Sequence, residues 1–105
     1  MPRFVILEHD HPFPHWDFML ESGAVLRTWR LSAPPAPGQS VAAEPIGDHR
    51  KAYLDYEGPL SGGRGGVKQW DAGTFEWEED GAERVVVRLA GGKVQGVVTL
   101  IAACG

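Results

Sequence analysis

The stretch "HDHPFPHWD", His9 to Asp17, gathers three of the chain's four histidines and two aspartates into nine residues. Imidazole and carboxylate are the side chains that hold divalent transition metals and move protons near neutral pH. Spacing sorts them. On an extended strand residues i and i+2 share a face, so His15 and Asp17 project side by side. His9 ends the preceding apolar run. The intervening "DHPFP", with its two prolines, forms a bend that can bring His9 back beside them. Two imidazoles and one carboxylate leave coordination positions open for water or substrate, a set suited to a divalent transition metal. Trp16 and Phe18, on the opposite face, would anchor the strand in a core. His11, flanked by Asp10 and Pro12, is expected to be exposed. The competing reading is a polar surface loop that happens to be rich in histidine, since His-x-Asp alone is a weak motif.

The fourth histidine lies in "GDHRKAYLDYEG". His49 and Tyr53 are four residues apart and would share a face in a helical turn. Pointing together they can bind phosphate oxygens or act in acid–base chemistry. The plainer alternative is a surface histidine beside a half-buried tyrosine.

The elements that must carry these residues are strands. Arg3–Glu8 is a short run of strand formers. His15–Glu21 alternates, with Trp16, Phe18 and Leu20 on one face and His15, Asp17 and Met19 on the other. Ala24–Leu31 follows after "ESG". Residues 32–39, "SAPPAPGQ", hold three prolines and a glycine and read as a surface loop. Val41–Ile46 is a strand weakened by Pro45, and the segment after it holds a single helical turn. "SGGRGG", residues 61–66, lacks the closing Lys-Ser/Thr of a phosphate-cradling loop and reads as a hairpin loop. Val67–Trp70, a "DAG" turn and Thr74–Trp77 come next. The "EEDG" hairpin signal, Glu83–Leu89, "AGGK" and Val94–Ala103 complete the set. No segment keeps a helical period over three turns. The expected fold is all-β and mainly antiparallel: a compact barrel, closed or partly open, with at most one or two short helical turns.

With 105 residues, 43% hydrophobic and 23% charged, the chain is expected to form one globular domain over 1–105. No apolar run is long enough to span a membrane. No basic stretch and apolar h-region mark a signal peptide, so a cytoplasmic location is expected. The single cysteine, Cys104, excludes an internal disulfide and any cysteine-rich zinc site. A formal net charge of −4 argues against tight non-specific nucleic-acid binding while leaving room for contact with a strand end. A monomer is the default.

Taken in order, "HDHPFPHWDFMLE", "TW" (28–29), "DHRKAY" (48–53), "YEG" (56–58), "GGRGG" (62–66) and "WDAGT" (70–74) resemble the 3′-phosphoesterase domain of bacterial DNA ligase D. Each block is weak by itself; together, over residues 3 to about 77, they are fairly specific. The resemblance implies a β-barrel with a manganese-type metal, zinc or another transition metal being the alternative. It implies an enzyme that heals DNA 3′ ends by removing a terminal ribonucleotide or phosphate, or that acts on a smaller phosphoester, with DNA-repair proteins as partners. Position by position, His9, His15 and Asp17 match the family's metal ligands, and His49 and Tyr53 match its active-site histidine and tyrosine.

The chain departs from the pattern at Leu7, Met19, Ala33 and Val41, where the family carries glutamine, arginine, lysine and arginine. Such cations fix a phosphate and offset its charge. Arg30, Arg50, Lys51 and Arg64 are candidates to replace them, although the sequence does not place them and the plainer reading of each is a solvated surface charge. Two further readings stay open: a divergent, non-catalytic barrel that binds metal, nucleic acid or protein, and an oxygenase built on a two-histidine, one-carboxylate site.

Overall fold

A computed structural model describes residues 1–60, 62–63 and 65–102. Eight strands follow one another: β1 (Arg3–His9), β2 (His15–Ser22), β3 (Val25–Leu31), β4 (Ser40–Arg50), β5 (Gly58–Pro59), β6 (Gly66–Asp80), β7 (Arg84–Gly91) and β8 (Gln95–Ala102). A 3₁₀ turn at Lys51–Leu54 joins β4 to β5. The hydrogen-bonded order is β1-β2-β3-β4-β8-β7-β6-β5, and β1 also pairs with β6. That last pairing closes seven strands into a barrel, with the short β5 outside the ring on β6. Every pairing is antiparallel except β4 with β8. The all-β barrel expected from the spacing of short strands is what forms, and it is closed.

Alternation along β1 and β2 explains how the barrel holds its site. Phe4, Ile6, Phe18 and Leu20 point into the barrel and join Leu31, Phe75, Val87, Leu89, Val98 and Leu100, with Trp16 packed partly buried against them. The odd-numbered residues point outward, yet they too are covered. Val5, Leu7, Met19, Leu26, Leu54 and Val67 make a second apolar cluster, with Tyr53, Leu60 and Ala72 packed on it. The 3₁₀ turn and the segment after it therefore lie over the outer face of β1, β2 and β3. His9, His15 and Asp17 belong to this outward set.

Two strands differ from their sequence-based boundaries. "DAG" is not a turn between two strands: β6 runs without a break through Asp71–Gly73. Its register against β1 shifts between Ile6 and Leu7, so Trp70 is an extra residue, a bulge that bends a long strand around the barrel. Asp71 accepts hydrogen bonds from the N–H groups of Gly92, Lys93 and Val94, in the turn between β7 and β8, and from that of Ala72, its neighbour on β6. Gly73 is there for close approach, because a side chain would collide with the Ala90 carbonyl of β7. β4 likewise extends through Pro45 to Arg50. Beyond Ala43 it pairs with β3 alone, and proline is tolerated where one side of a strand is unpaired.

Candidate metal centre and its cavity

The β1–β2 register sets His9 directly opposite His15 and Leu7 opposite Asp17. Cross-strand partners and i,i+2 neighbours converge on the outer face, and the ligand atoms of His9, His15 and Asp17 all lie within 4.8 Å of one another. The two imidazole rings meet edge to face at 4.6 Å. Residues 10–14 form the bend expected from their prolines, with His11 exposed. Asp10 secures the bend by accepting the Gly66 N–H at 3.0 Å, a bond that holds its carboxyl below the usual carboxylate range. Gly65, at φ +71°, lies so close to this bend that a side chain there would strike Asp10 and His11. The glycine-rich segment is thus seated against the loop that connects the candidate ligands.

The fit to a metal rests on unsatisfied lone pairs. His15 is fully buried, with Nδ1 2.9 Å from the Phe13 carbonyl oxygen. A carbonyl only accepts, so Nδ1 carries the proton and Nε2 presents a lone pair. That Nε2 faces Asp17 Oδ1 at 3.4 Å, and among the described residues neither atom has a hydrogen-bond partner. His9 Nδ1 stands 3.7 Å from Asp17 Oδ2. These separations exceed the ~2.7–2.9 Å of a charge-assisted hydrogen bond, so a shared proton does not account for them. Buried lone pairs without a donor are costly. A nitrogen, nitrogen and oxygen set, with one histidine oriented by a backbone carbonyl, is a donor arrangement suited to a divalent transition metal.

A cavity of about 250 Å³ opens beside these residues and takes in His9, Asp17, Arg30, His49 and Tyr53 over a floor of Leu7 and Met19. His49 and Tyr53 do meet, with ring centroids 5.6 Å apart. They do not share a helical face as expected: His49 is on β4 and Tyr53 on the 3₁₀ turn. The chain turns sharply between them, which brings the two rings together. His49 Nδ1 lies 2.8 Å from the Gly47 carbonyl oxygen and so carries the proton, leaving Nε2 as the ring's second nitrogen.

The departures from the family pattern have structural counterparts. Leu7 and Met19 are buried in the outer apolar cluster. Ala33 is exposed. Val41 packs against the barrel interior, on the side of β4 away from the cavity. Of the cations named as replacements, Lys51 is 3.0 Å from Glu21, Arg50 is exposed outside the cavity lining, and Arg64 lies outside the described residues, as does Cys104. Arg30 sits opposite Asp17 in the β2–β3 register and lines the cavity. The sequence did not place Arg30; the register sets it opposite Asp17. A second cavity, about 290 Å³, includes Arg27, Trp29 and Arg84 but no histidine. There Arg27 is engaged with Asp80 at 2.9 Å and with the rings of Trp29 and Trp77.

Comparison with known proteins agrees with the resemblance in the motifs. The sequence model of the DNA Ligase D 3′-phosphoesterase domain matches residues 7–102. The "Multifunctional non-homologous end joining DNA repair protein LigD" of Mycobacterium tuberculosis H37Rv is 34% identical over 107 residues, covering 93% of this chain and 14% of that protein. The "Multifunctional non-homologous end joining protein LigD" of Pseudomonas aeruginosa is 31% identical over 86 residues, covering 77% of this chain and 10% of that protein. The chain thus spans less than a sixth of the length of these curated relatives. On this match, and with a closed β-barrel as its fold, the chain belongs to the DNA ligase D 3′-phosphoesterase domain family.

Proposed function

We propose that this chain is a metal-dependent phosphoesterase that removes a terminal ribonucleotide or phosphate from DNA 3′ ends, working with DNA-repair proteins in the cytoplasm as a single monomeric domain. The observation that carries this reading is the facing pair of unpartnered lone pairs, His15 Nε2 and Asp17 Oδ1, in a cluster that shares its cavity with His49 and Tyr53. His9, His15 and Asp17 would hold the ion, with Mn²⁺ favoured and Zn²⁺ or another transition metal the alternative. A bound divalent ion supplies Lewis-acid stabilisation of phosphoryl charge and a water of lowered pKa.

The chain's own residues do the rest. His49, with Nδ1–H tied to Gly47, presents Nε2 to the cavity's reacting groups and passes a proton through that atom. Tyr53 donates its hydroxyl proton to a phosphate oxygen, offsetting charge as it builds. Leu7 and Met19 keep the floor dry, which strengthens both interactions. Water adds to phosphorus and the ester oxygen leaves with a proton, giving a 3′-hydroxyl and inorganic phosphate when the substrate is a 3′-phosphate.

Incubation of the Mn²⁺-loaded protein with 3′-phosphate and 3′-ribonucleotide primer–templates tests the reading. Conversion to shorter or 3′-hydroxyl ends, abolished by chelator, is expected. A fully metallated protein that leaves both primers untouched overturns it. The buried apolar residues at Leu7 and Met19 favour one second reading, a barrel that binds metal or a partner without turnover. Tight Mn²⁺ binding with no hydrolysis of either primer selects that alternative.

A further inference from the structure

We infer that Arg30 is the cation that receives the substrate's phosphate in this cavity; the inference rests on the phosphoesterase reading. A phosphoryl group beside an Asp and two imidazoles needs positive charge placed opposite the ion. Among the described residues lining the cavity, Arg30 is the one arginine or lysine. Leu7 and Met19 close the floor with hydrocarbon, and Val41 turns into the barrel, so no cation reaches the site from those positions. Arg30 is held at the correct place by backbone pairing, because its Cα partner on β2 is Asp17 itself.

Its guanidinium is only partly engaged. Nε is buried with no hydrogen-bond partner. The ion pair to Glu44 is long, 4.0 Å from Nη1, against ~2.7–2.9 Å for a well-formed charge-assisted bond. Arg30 also borders an adjoining cavity of about 240 Å³ that contains Phe13 and His15. The side chain thus lines two cavities, one containing His9 and Asp17 and the other His15. A planar fork of donors is the group that matches phosphate oxygens in pairs, and the buried Nε–H gains the acceptor it lacks.

The test compares wild type, Arg30→Gln and Arg30→Lys, each loaded with Mn²⁺ and titrated with inorganic phosphate by calorimetry. Mn²⁺ affinity is measured separately on each. Arg30→Gln is expected to raise the phosphate dissociation constant roughly tenfold or more, equivalent to ~1.4 kcal/mol, with Mn²⁺ affinity within about twofold of wild type. Lysine is expected to recover part of the loss, because it keeps the charge but not the fork. If Arg30→Gln binds phosphate as wild type does, the inference fails and the phosphoesterase reading stands. If Mn²⁺ and phosphate affinity fall together, Arg30 acts through the ligand cluster and the inference also fails. If Mn²⁺-loaded wild type binds no phosphate, both readings fall. Should Arg30→Gln not fold, as seen by circular dichroism, Arg30→Lys decides: several-fold weaker phosphate binding supports the inference, and wild-type binding overturns it.

Discussion

His15 and Asp17 are the residues on which the proposed chemistry turns, because each is buried with an electron pair that no described donor satisfies. Removing one ligand should therefore cost far more metal affinity than removing a supporting contact. His15→Ala and Asp17→Asn are expected to weaken Mn²⁺ binding by at least the ~10–100-fold that loss of an outer partner costs. Calorimetric titration of the purified variants checks this. The same linkage predicts that Mn²⁺ at about 100 times its dissociation constant stabilises wild type by ~2.7 kcal/mol, read as a rise in melting temperature, and that neither variant shares the gain. Met19 teaches a different lesson. It stands where the family has arginine, but it is 1% exposed and packed among Val5, Leu7 and Leu26. Met19→Arg is expected to destabilise the fold by about 1–3 kcal/mol in urea titrations, since a charge enters a cluster shaped for hydrocarbon.

Two clasps between elements position the site. The first is Asp71, which joins β6 to the turn between β7 and β8 through the N–H groups of Gly92, Lys93 and Val94, and also accepts that of Ala72 on its own strand. Asp71→Ala leaves those donors without their acceptor and should cost roughly 2–4 kcal/mol; Asp71→Asn, which keeps one carbonyl oxygen, should cost less. Equilibrium denaturation separates them. The second clasp is Glu21 of β2, which accepts the Arg3 N–H at 2.9 Å and pairs with Lys51 of the 3₁₀ turn at 3.0 Å. The Lys51 ammonium, then the Arg3 N–H, hold the Glu21 carboxyl below its ordinary value. A depressed carboxyl contributes its stability in full above the unfolded-state value, about 4.3, and loses it as pH falls through the folded one. Docking of the turn that carries Tyr53 is therefore expected to loosen below about pH 4. Amide protection factors at residues 51–55, with the intrinsic pH dependence of exchange divided out, should fall over that range in wild type and show a flatter pH response in Glu21→Gln.

The barrel as a whole is closed by the β1–β6 pairing, and β1 is buried on both faces. The strand bearing His9 is therefore the central partition between the barrel interior and the outer apolar layer. Phe18, on the neighbouring strand, stacks near Phe4 at 6.1 Å with both rings inside. Phe18→Ala is expected to cost about 3–5 kcal/mol in chemical denaturation, a large share of the ~5–15 kcal/mol available to a domain of this size. Because Asp17 is the residue before Phe18 and His15 lies three residues before it on the same strand, the variant should lose Mn²⁺ affinity together with stability.

Short-range patterning carried much of this protein. The alternation of "HWDFMLE" placed His15 and Asp17 on one face and Phe18 on the other, and the prolines of "DHPFP" marked the bend that returns His9. Turn residues separated most strands correctly, because glycine, proline and Asp-Gly act through local backbone preferences. Where a residue's role depended on distant neighbours, local pattern misled. "DAG" reads as a turn until Gly92, Lys93 and Val94 supply the donors that hold Asp71 inside a continuous strand. Pro45 reads as weakening the strand Val41–Ile46 until β8 is seen to stop pairing before it. His49 and Tyr53 meet as their spacing allowed, though from a strand and a 3₁₀ turn and not from one helical face, while the facing of Asp17 by Arg30 came from the fold alone. A strand's own sequence determines which residues share a face. Which strands lie beside it, and in what register, depends on burial and backbone pairing summed over the whole barrel.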